Sequence, residues 1–321
     1  MKQKLHSLVW KCFLVTLLII CSYVPSYSQY SESTSFYEAG ITAGPSNFLW
    51  DLGGNYGRGT TFLKDNNIQT TKLIVGAYLS YHPSQWLGFR LAVNIGSIEG
   101  DDAIIKPKGG LEESRSRRNS NFKSKIQEVL LVAEIYPTVF FEYEPGDTYH
   151  KIRPYGVIGV GGFHFNPQGT DPANGNWVNL KSLHTEGQGF NEYPDRKEYK
   201  LTQLNIPMGV GVKYFASETV SVSLEVIHRK TFTDYIDDVS KDYIDPSLFY
   251  NYLPLSQAQL AERIANKSGN GNTSGAFGPG QKRGTPTQND AYFSVGFKLG
   301  FVLGSNNDKR WRNSTRCPVR F

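Results

Sequence analysis

The sequence has little cysteine and methionine and, after residue 21, no long apolar run. It holds 3 cysteines and 2 methionines in 321 residues, and two of the cysteines, Cys12 and Cys21, bound an apolar run near the start. No later segment offers about 18 uninterrupted apolar residues, so a transmembrane helix is not expected. Lysine and arginine outnumber the acids only slightly, 34 to 29, and are mixed with them along most of the chain. This modest excess does not indicate a nucleic-acid partner.

The first residues follow the order of a secretory signal peptide. Lys2, Lys4 and Lys11 precede the apolar run Cys12–Cys21, and Ser26-Tyr27-Ser28 follows a break at Pro25. A basic, then apolar, then small-residue order is typical of a cleaved leader, which we place at residues 1–28. Cys317 is then the only cysteine left, so the open alternatives are a free thiol or a disulfide to another chain.

Apolar and small or polar residues alternate in several later segments. In Ala291–Phe301 every second residue is apolar, and Leu87–Gly96, Gln203–Val212 and Val220–Val226 repeat the pattern. Weaker alternation marks four more segments, near Tyr37–Gly44, Leu73–Tyr81, Glu128–Tyr136 and Tyr155–Phe165. Alternation would also fit a soluble antiparallel sheet with one solvated face. Glycine recurs at the inward positions, however, and small inward residues favour a narrow barrel.

The links between these segments alternate in length. Short turns are predicted around His82–Gln85, Pro145–Lys151 and Ala216–Glu218, and long links over 46–70, 99–124, 167–199 and 235–289. Short periplasmic turns and long external loops are typical of outer-membrane barrels. We therefore predict an all-β fold, an eight-stranded antiparallel up-and-down transmembrane β-barrel over residues 29–304, in the outer membrane of a Gram-negative bacterium with both termini periplasmic. Outer-membrane lipids are the expected surroundings.

Aromatic residues near the predicted periplasmic ends are expected to bridge lipid and water. They are Tyr81, Trp86, Tyr136, Tyr155, Tyr214 and Phe301.

Charged residues within the strands are predicted to face the lumen. An eight-stranded barrel is just wide enough for side chains to fill its interior, and a charge facing lipid would cost roughly 2–4 kcal/mol near the midplane. Strand parity points five charged side chains inward: Glu38, Arg90, Glu134, Glu225 and Lys298. The hypothesis is a charge network that fills the lumen, which makes a diffusion pore unexpected.

The acids Asp234, Asp237, Asp238 and Asp242 are the main candidates for other chemistry. Calcium binds such oxygens, but the EF-hand spacing is absent, and a hydrogen-bonded or solvated strand end is favoured. No serine has a nucleophile-elbow motif. We therefore predict no enzyme activity, no catalytic residue and no cofactor or metal site.

The last long link is expected to be partly folded. Ile244, Leu248, Phe249 and Leu253 could pack together, and a short helix is predicted over Ser256–Ala265 with Ser256 as its cap. The Gly/Asn/Ser-rich segment 266–284 is predicted to be mobile.

Several stretches resemble the PorG family of outer-membrane barrels of the type IX secretion and gliding machinery. The most specific is Arg229–Ser240, RKTFTDYIDDVS. The others are Phe163–Gln168, Leu183–Gly189, Leu201–Pro207 and Gly100–Ala103, and the resemblance runs from about Tyr37 to Phe301. It implies a structural role, in contact with a periplasmic ring of a PorK-like lipoprotein and a PorN-like protein.

The residues able to contact such a ring are the periplasmic turns and the tail 305–321. That tail carries a basic cluster and a cysteine: Lys309, Arg310, Arg312, Arg316, Arg320 and Cys317. A disulfide from Cys317 to a ring subunit is the sharpest hypothesis, and a disordered basic tail with an incidental thiol is the alternative. Two other functions stay open: a free-standing barrel whose external loops bind surfaces or glycans, and a small-solute channel.

Overall fold

The computed structural model describes residues 35–49, 52, 68–105, 112–141, 151–217, 219–268 and 277–303. The predicted signal peptide 1–28 and the predicted tail 305–321, with Cys317 and its five basic residues, lie outside the described residues.

Eight long strands form a closed antiparallel barrel. They are β1 (Phe36–Leu49), β2 (Lys72–His82), β3 (Leu87–Asp101), β4 (Asn121–Ile135), β5 (Ile152–His164), β6 (Thr202–Phe215), β7 (Val220–Thr231) and β8 (Ala291–Leu303). Each strand pairs with the next one in the chain, and β8 pairs with β1, where Gly40 lies opposite Gly300. The predicted fold class, an eight-stranded up-and-down barrel, is confirmed.

The alternating residues sort to the two faces of the barrel. Apolar side chains on the outer face are between 46% and 66% exposed, here with one example per strand: Ile41, Leu79, Leu91, Leu131, Val160, Val210, Leu224 and Phe297. Ala291 and Phe293, which share this parity, are instead buried with Leu49 at one end of the barrel.

Glycines on the inner face leave room for large side chains. A Cβ on Gly211 would lie 2.5 Å from the ring of Tyr155, and one on Gly40 would lie 2.6 Å from the ring of Tyr78. The inward glycines therefore make space for tyrosines that fill the lumen.

The links partly follow the predicted lengths. Residues 83–86 and 216–219 form two short links at one end, and 50–71, 102–120, 165–201 and 232–290 are the long links at the other. The third link at the short-link end, 136–151, is longer than expected, and most of the turn expected around Pro145–Lys151 lies outside the described residues. It is nearly as long as 102–120 and begins with a 3-10 helix, Pro137–Phe141.

Two of the long links fold over the barrel as a cap, defined as the described parts of 165–201 and 232–290. Two short strands, Pro167–Thr170 and Trp177–Asn179, pair with each other, and the first also pairs with the start of β4. The helices are α1 (Glu112–Arg118), in the 102–120 link, and α2 (Phe249–Tyr252) and α3 (Leu255–Ala265), in the last link. In the described part of the chain, none of the helices has the length and apolar character needed to cross a membrane.

The described parts of the last link contain helices and a buried cluster, and residues 269–276 of the segment predicted to be mobile lie outside the described residues. Ile244 and Phe249 are buried against α3, with Leu248 and Leu253 packed beside them, as expected. Helix α3 begins one residue early, and Pro254, rather than Ser256, occupies its N-cap position. Arg283 lies in the segment predicted to be mobile, yet it is 4% exposed.

Candidate functional site

Six charged side chains meet inside the barrel, in what we call the lower lumen layer: Glu38, Arg90, Glu134, Lys213, Glu225 and Lys298. All six are buried. Arg90 lies 3.1 Å from Glu134 and 2.8 Å from Glu225. Lys298 bridges the same two carboxylates at 3.1 and 3.6 Å. Lys213 lies 3.3 Å from Glu38 and 3.6 Å from Glu134. Three cations thus balance three carboxylates.

Buried tyrosines complete the shell of these carboxylates. The hydroxyl of Tyr78 donates to Glu38 and that of Tyr155 donates to Glu225, each at 2.9 Å. Tyr136 donates to Glu134. Because a buried carboxylate is costly unless it is paired and hydrogen-bonded, this shell of cations and hydroxyls offsets the cost of burying the three carboxylates.

A second group, the upper lumen layer, lies nearer the cap. Glu128 accepts from Arg229 at 2.8 Å, from Asn94 at 2.9 Å and from Tyr292 at 2.7 Å. Arg229 also donates to Ser294 at 2.6 Å. One cation again balances one carboxylate, and all of these groups are buried.

The space between the two layers is small. A cavity of about 30 Å³ is lined by side chains of both layers, including Arg90, Glu225 and Arg229, and it is large enough to hold water. Above the upper layer, Tyr292 packs with Phe122, Phe163 and Phe165 in an apolar cluster. Among the described residues, the two charged layers and this apolar cluster place side chains one above another in the lumen.

The five lumen residues singled out from strand parity all lie in the lower layer and contact one another through the pairs given above. The sequence analysis missed Lys213, Glu128 and Arg229. The same parity would have found them, since Lys213 continues the inward row of β6 and Arg229 that of β7.

Two aromatic residues are not where they were expected. Tyr81, Trp86, Tyr214 and Phe301 are exposed on the outer face, but Tyr136 and Tyr155 are buried. Their hydroxyls bind lumen carboxylates, so the expectation that they lie at the lipid boundary was wrong. The alternating position of a residue along its strand, and not its distance from the strand end, decides whether the side chain faces lipid or the lumen.

A polar cluster joins the two links of the cap. Glu186 accepts from the backbone N–H groups of Ser240 and Lys241, each at 3.0 Å, and pairs with Arg283 at 2.9 Å. Thr185 donates to Asp238. The stretches Leu183–Gly189 and Arg229–Ser240, which carry the family resemblance, are therefore in direct contact.

Asp238 occupies an unusual position in this cluster. Its backbone φ is 62°, a left-handed conformation that favours Gly, Asn and Asp. Tyr199 donates to its carboxylate at 2.8 Å. Burial raises the pKa of Asp238 to about 6, although the Arg283 guanidinium and the two hydroxyl donors act in the opposite direction.

The other acids of the candidate group are dispersed. The Asp237 carboxylate accepts from the backbone N–H of Val239 at 3.0 Å, while Asp242 lies 3.9 Å from Arg196 and is about half exposed. Among the described residues, no three His, Cys, Asp or Glu side chains are grouped to hold a metal ion.

A closed barrel with a filled lumen and a folded cap is the class of protein that these features define. A family model described as a domain of unknown function (DUF6089) matches residues 11–247. This is well over half of the chain, which therefore belongs to that family. A comparison with curated proteins finds no match.

Solved structures of other barrels are similar at low identity. Ail of Yersinia pestis is 7% identical, with 85% of this chain and 100% of that chain covered and a TM-score of 0.34. Neisserial surface protein A is 8% identical, with 84% and 98% covered and a TM-score of 0.34. OprG from Pseudomonas aeruginosa is 12% identical, with 85% and 100% covered and a TM-score of 0.33. We carry no function over from these proteins.

Proposed function

We propose that this chain is a non-enzymatic outer-membrane barrel that acts as a structural subunit and not as a channel. The observation that carries the proposal is the row of side chains along the lumen, where two charge-balanced layers and an apolar cluster follow one another. A subunit of this kind works through the surfaces at its two ends.

The outer face supports a place in a membrane. Apolar side chains are exposed on all eight strands, while the charged side chains of both lumen layers are buried. A water-soluble barrel would expose polar groups on that face, whereas lipid requires the arrangement seen here. Because two of the three links at one end are short and all four at the other are long, we place the cap outside the cell and both chain ends in the periplasm.

The resemblance to the PorG family supplies the finer part of the proposal. We assign the chain to the type IX secretion machinery, where it would anchor a ring of PorK-like and PorN-like proteins to the outer membrane. The contacts would come from the periplasmic links and from residues 305–321. Clustered basic residues with one cysteine suit an acidic ring surface and an intermolecular disulfide.

The test is a mild-detergent pull-down of the tagged full chain, compared with a chain lacking residues 305–321. We expect ring proteins with the full chain and their loss with the truncated one. A matched control replaces the five basic tail residues with glutamine and retains Cys317, which separates charge from the thiol. Recovery of no periplasmic protein with any of the three chains would overturn the anchoring role.

The disulfide has its own test, a non-reducing gel of envelope extracts from cells with the native chain and with Cys317→Ser. The proposal expects a high-mass band that is lost with Cys317→Ser and on reduction. The same band in both strains would contradict the disulfide hypothesis but would not contradict the anchoring role.

The folded cap favours a second candidate function, binding of surfaces or glycans by the external links. A cap with its own buried cluster, which includes Leu180, Phe190 and Phe249, presents a defined surface that free loops lack. Whole cells whose cap is cleaved by protease should then lose attachment, while the pull-down result stays unchanged.

A further inference from the structure

The outward row of β4 changes from apolar to basic toward the cap. Because alternate residues of a strand share a face, this row can be followed from one end of the strand to the other. Its middle part carries exposed apolar side chains, Leu131 and Val129. The next outward positions toward the cap are Gln127, Lys125 and Lys123. The lipid-facing surface of β4 therefore ends in two cations where the barrel meets the cap.

The neighbouring strand β5 shows a similar change. Its outward side chains Ile158 and Val160 are apolar and exposed, and the row ends at His164, which lies opposite Gln127 in the register of the two strands. His164 is exposed, and its Nδ1 lies 3.1 Å from the hydroxyl oxygen of Thr202. The polar positions of the two strands form one patch, which we call the basic rim: Lys123, Lys125, Gln127 and His164.

The two lysines of the basic rim keep their positive charge available. Neither Lys123 nor Lys125 forms an ion pair with any described residue. Glu99 is the register partner of Lys123 on β3, but its carboxylate binds Lys72 at 2.7 Å. The ammonium of Lys123 instead lies 4.1 Å from the centre of the Trp177 ring. The rim is therefore a positively charged edge of an apolar surface.

Trp177 indicates the level at which the basic rim lies. Its ring is exposed, in the short strand Trp177–Asn179 of the cap. Indole rings are enriched at the boundary between lipid and water, because they combine an apolar body with one N–H donor. An exposed indole in a cation–π contact with Lys123 therefore places the rim at the level of lipid headgroups.

The two ends of the outer face differ in charge. At the short-link end, the described outward positions of the strands carry aromatic or aliphatic side chains, such as Tyr81, Tyr214 and Phe301. At the cap end, Lys230 on β7 adds a further exposed cation to those of the basic rim. Basic residues at a membrane surface attract anionic headgroups over about one Debye length. The asymmetry therefore predicts anionic headgroups on the cap side.

We infer that the basic rim binds the phosphate groups of a glycolipid in the outer leaflet. The apolar rows of β4 and β5 lie along the acyl chains, and Lys123 and Lys125 reach the phosphates directly above them. Gln127 and His164 add hydrogen-bonding groups to the same surface. Charge complementarity and continuity with the lipid-facing surface favour this occupant. The inference rests on the proposed place of the barrel in the outer membrane with its cap outside, but not on contact with a periplasmic ring.

The test is native mass spectrometry of the purified full chain in neutral detergent. The chain is titrated with diphosphorylated lipid A and, as the control, with the same lipid after removal of its phosphates. We expect the phosphorylated lipid to bind about tenfold more tightly or better, and Lys123→Gln/Lys125→Gln to lose about tenfold in affinity for it, because each basic residue near anionic lipid strengthens binding several-fold.

The matched control variant is Lys197→Gln/Lys282→Gln, which removes the same charge at two exposed lysines of the cap. It should keep the affinity within about twofold, since distant charges are screened by salt. Equal weakening by both variants would overturn the inference, and so would equal affinity of the native chain for the two lipids or no binding of either. A heat-modifiability gel first verifies that both variants fold.

The lipid titration and the pull-down fail separately. Recovery of ring proteins by a chain that does not distinguish the two lipids would overturn the lipid site and retain the anchoring role. Selective lipid binding by a chain that recovers no ring protein would do the reverse. Protease added to whole cells tests the external position of the cap, and a cap that is cut only after the outer membrane is opened would overturn the placement on which the inference rests.

Discussion

Glu134 is the most connected residue of the lower lumen layer. It lies within 3.6 Å of Arg90, Lys213 and Lys298, and it also accepts from Tyr136. The Glu134 carboxylate offsets part of the cost of burying each of these three cations. Removing one partner of a buried ion pair is costly mainly because of the charge left behind.

Glu134→Gln is therefore expected to destabilise the barrel by about 3–5 kcal/mol. Gln has nearly the same volume, so the loss reports on charge and not on packing. The measurement is the urea midpoint of unfolding in detergent, followed by heat modifiability on gels. Glu198→Gln, at an exposed carboxylate, is the control and should leave the midpoint unchanged. Equal midpoints for the two variants would show that the ion pairs contribute nothing.

Asp238 makes the cap sensitive to pH. Its pKa is raised from 3.8 to about 6 by burial, so the folded state binds more protons than the unfolded state between these values. The stabilising contribution of the protonated carboxyl is complete below about pH 4 and is lost as the pH rises through about 6, up to about 3 kcal/mol in total. Asp238→Asn should remove this dependence, because Asn tolerates the same positive φ.

The measurement for Asp238 is the difference in melting temperature between the native chain and Asp238→Asn at pH 5, 6, 7 and 8. Since other groups titrate equally in both proteins, the difference isolates Asp238. We expect the native chain to gain relative to Asp238→Asn as the pH falls from 7 to 5. A difference that stays constant over this range would mean that the carboxyl does not titrate there.

Strand parity was sufficient to predict part of the site at the scale of single residues. It placed Glu38, Arg90, Glu134, Glu225 and Lys298 on one face before any contact was known. It could not predict which cation pairs with which carboxylate. Those pairs cross the lumen between strands far apart in sequence, as Lys213 and Glu38 do.

At the scale of elements, strands were predictable and cap links were not. Alternation is local, so each barrel strand was found, though several extend further than expected, such as β4, which begins at Asn121. The order of the last link depends on contacts such as Glu186 with Arg283, which lie 97 positions apart. Composition alone indicated mobility there because it carries no information about distant partners.

Glu186→Gln is expected to loosen the cap and leave the barrel intact. The change removes the charge that compensates buried Arg283, which should lower the free energy of cap opening by about 3 kcal/mol. Limited proteolysis should then cut within 183–189 or 238–245 faster than in the native chain, while heat modifiability of the barrel is retained. Glu198→Gln, in the same link, should be cut at the native rate. Loss of heat modifiability in Glu186→Gln would show that cap and barrel unfold together.

Across the barrel as a whole, charged side chains are buried and apolar side chains are exposed, which is the reverse of a water-soluble protein. Buried charges are balanced inside the barrel, exposed apolar side chains cover its outer face, and polar surface is concentrated at the ends. The lower lumen layer, the upper lumen layer and the apolar cluster would act as three successive barriers to a solute.

We therefore expect the purified native chain to give no ohmic conductance steps in planar bilayers. The sharper test is Arg90→Ala/Glu225→Ala, which empties part of the lower layer and keeps its charge balanced. It too should stay closed, because Arg229 with Glu128 and the apolar cluster around Phe122 and Phe163 still fill the lumen above it. Conductance steps in this variant but not in the native chain would show that the lower lumen layer alone closes the lumen. Steady conductance steps in the native chain would show that the lumen opens in a membrane. The small-solute channel would then become the favoured function.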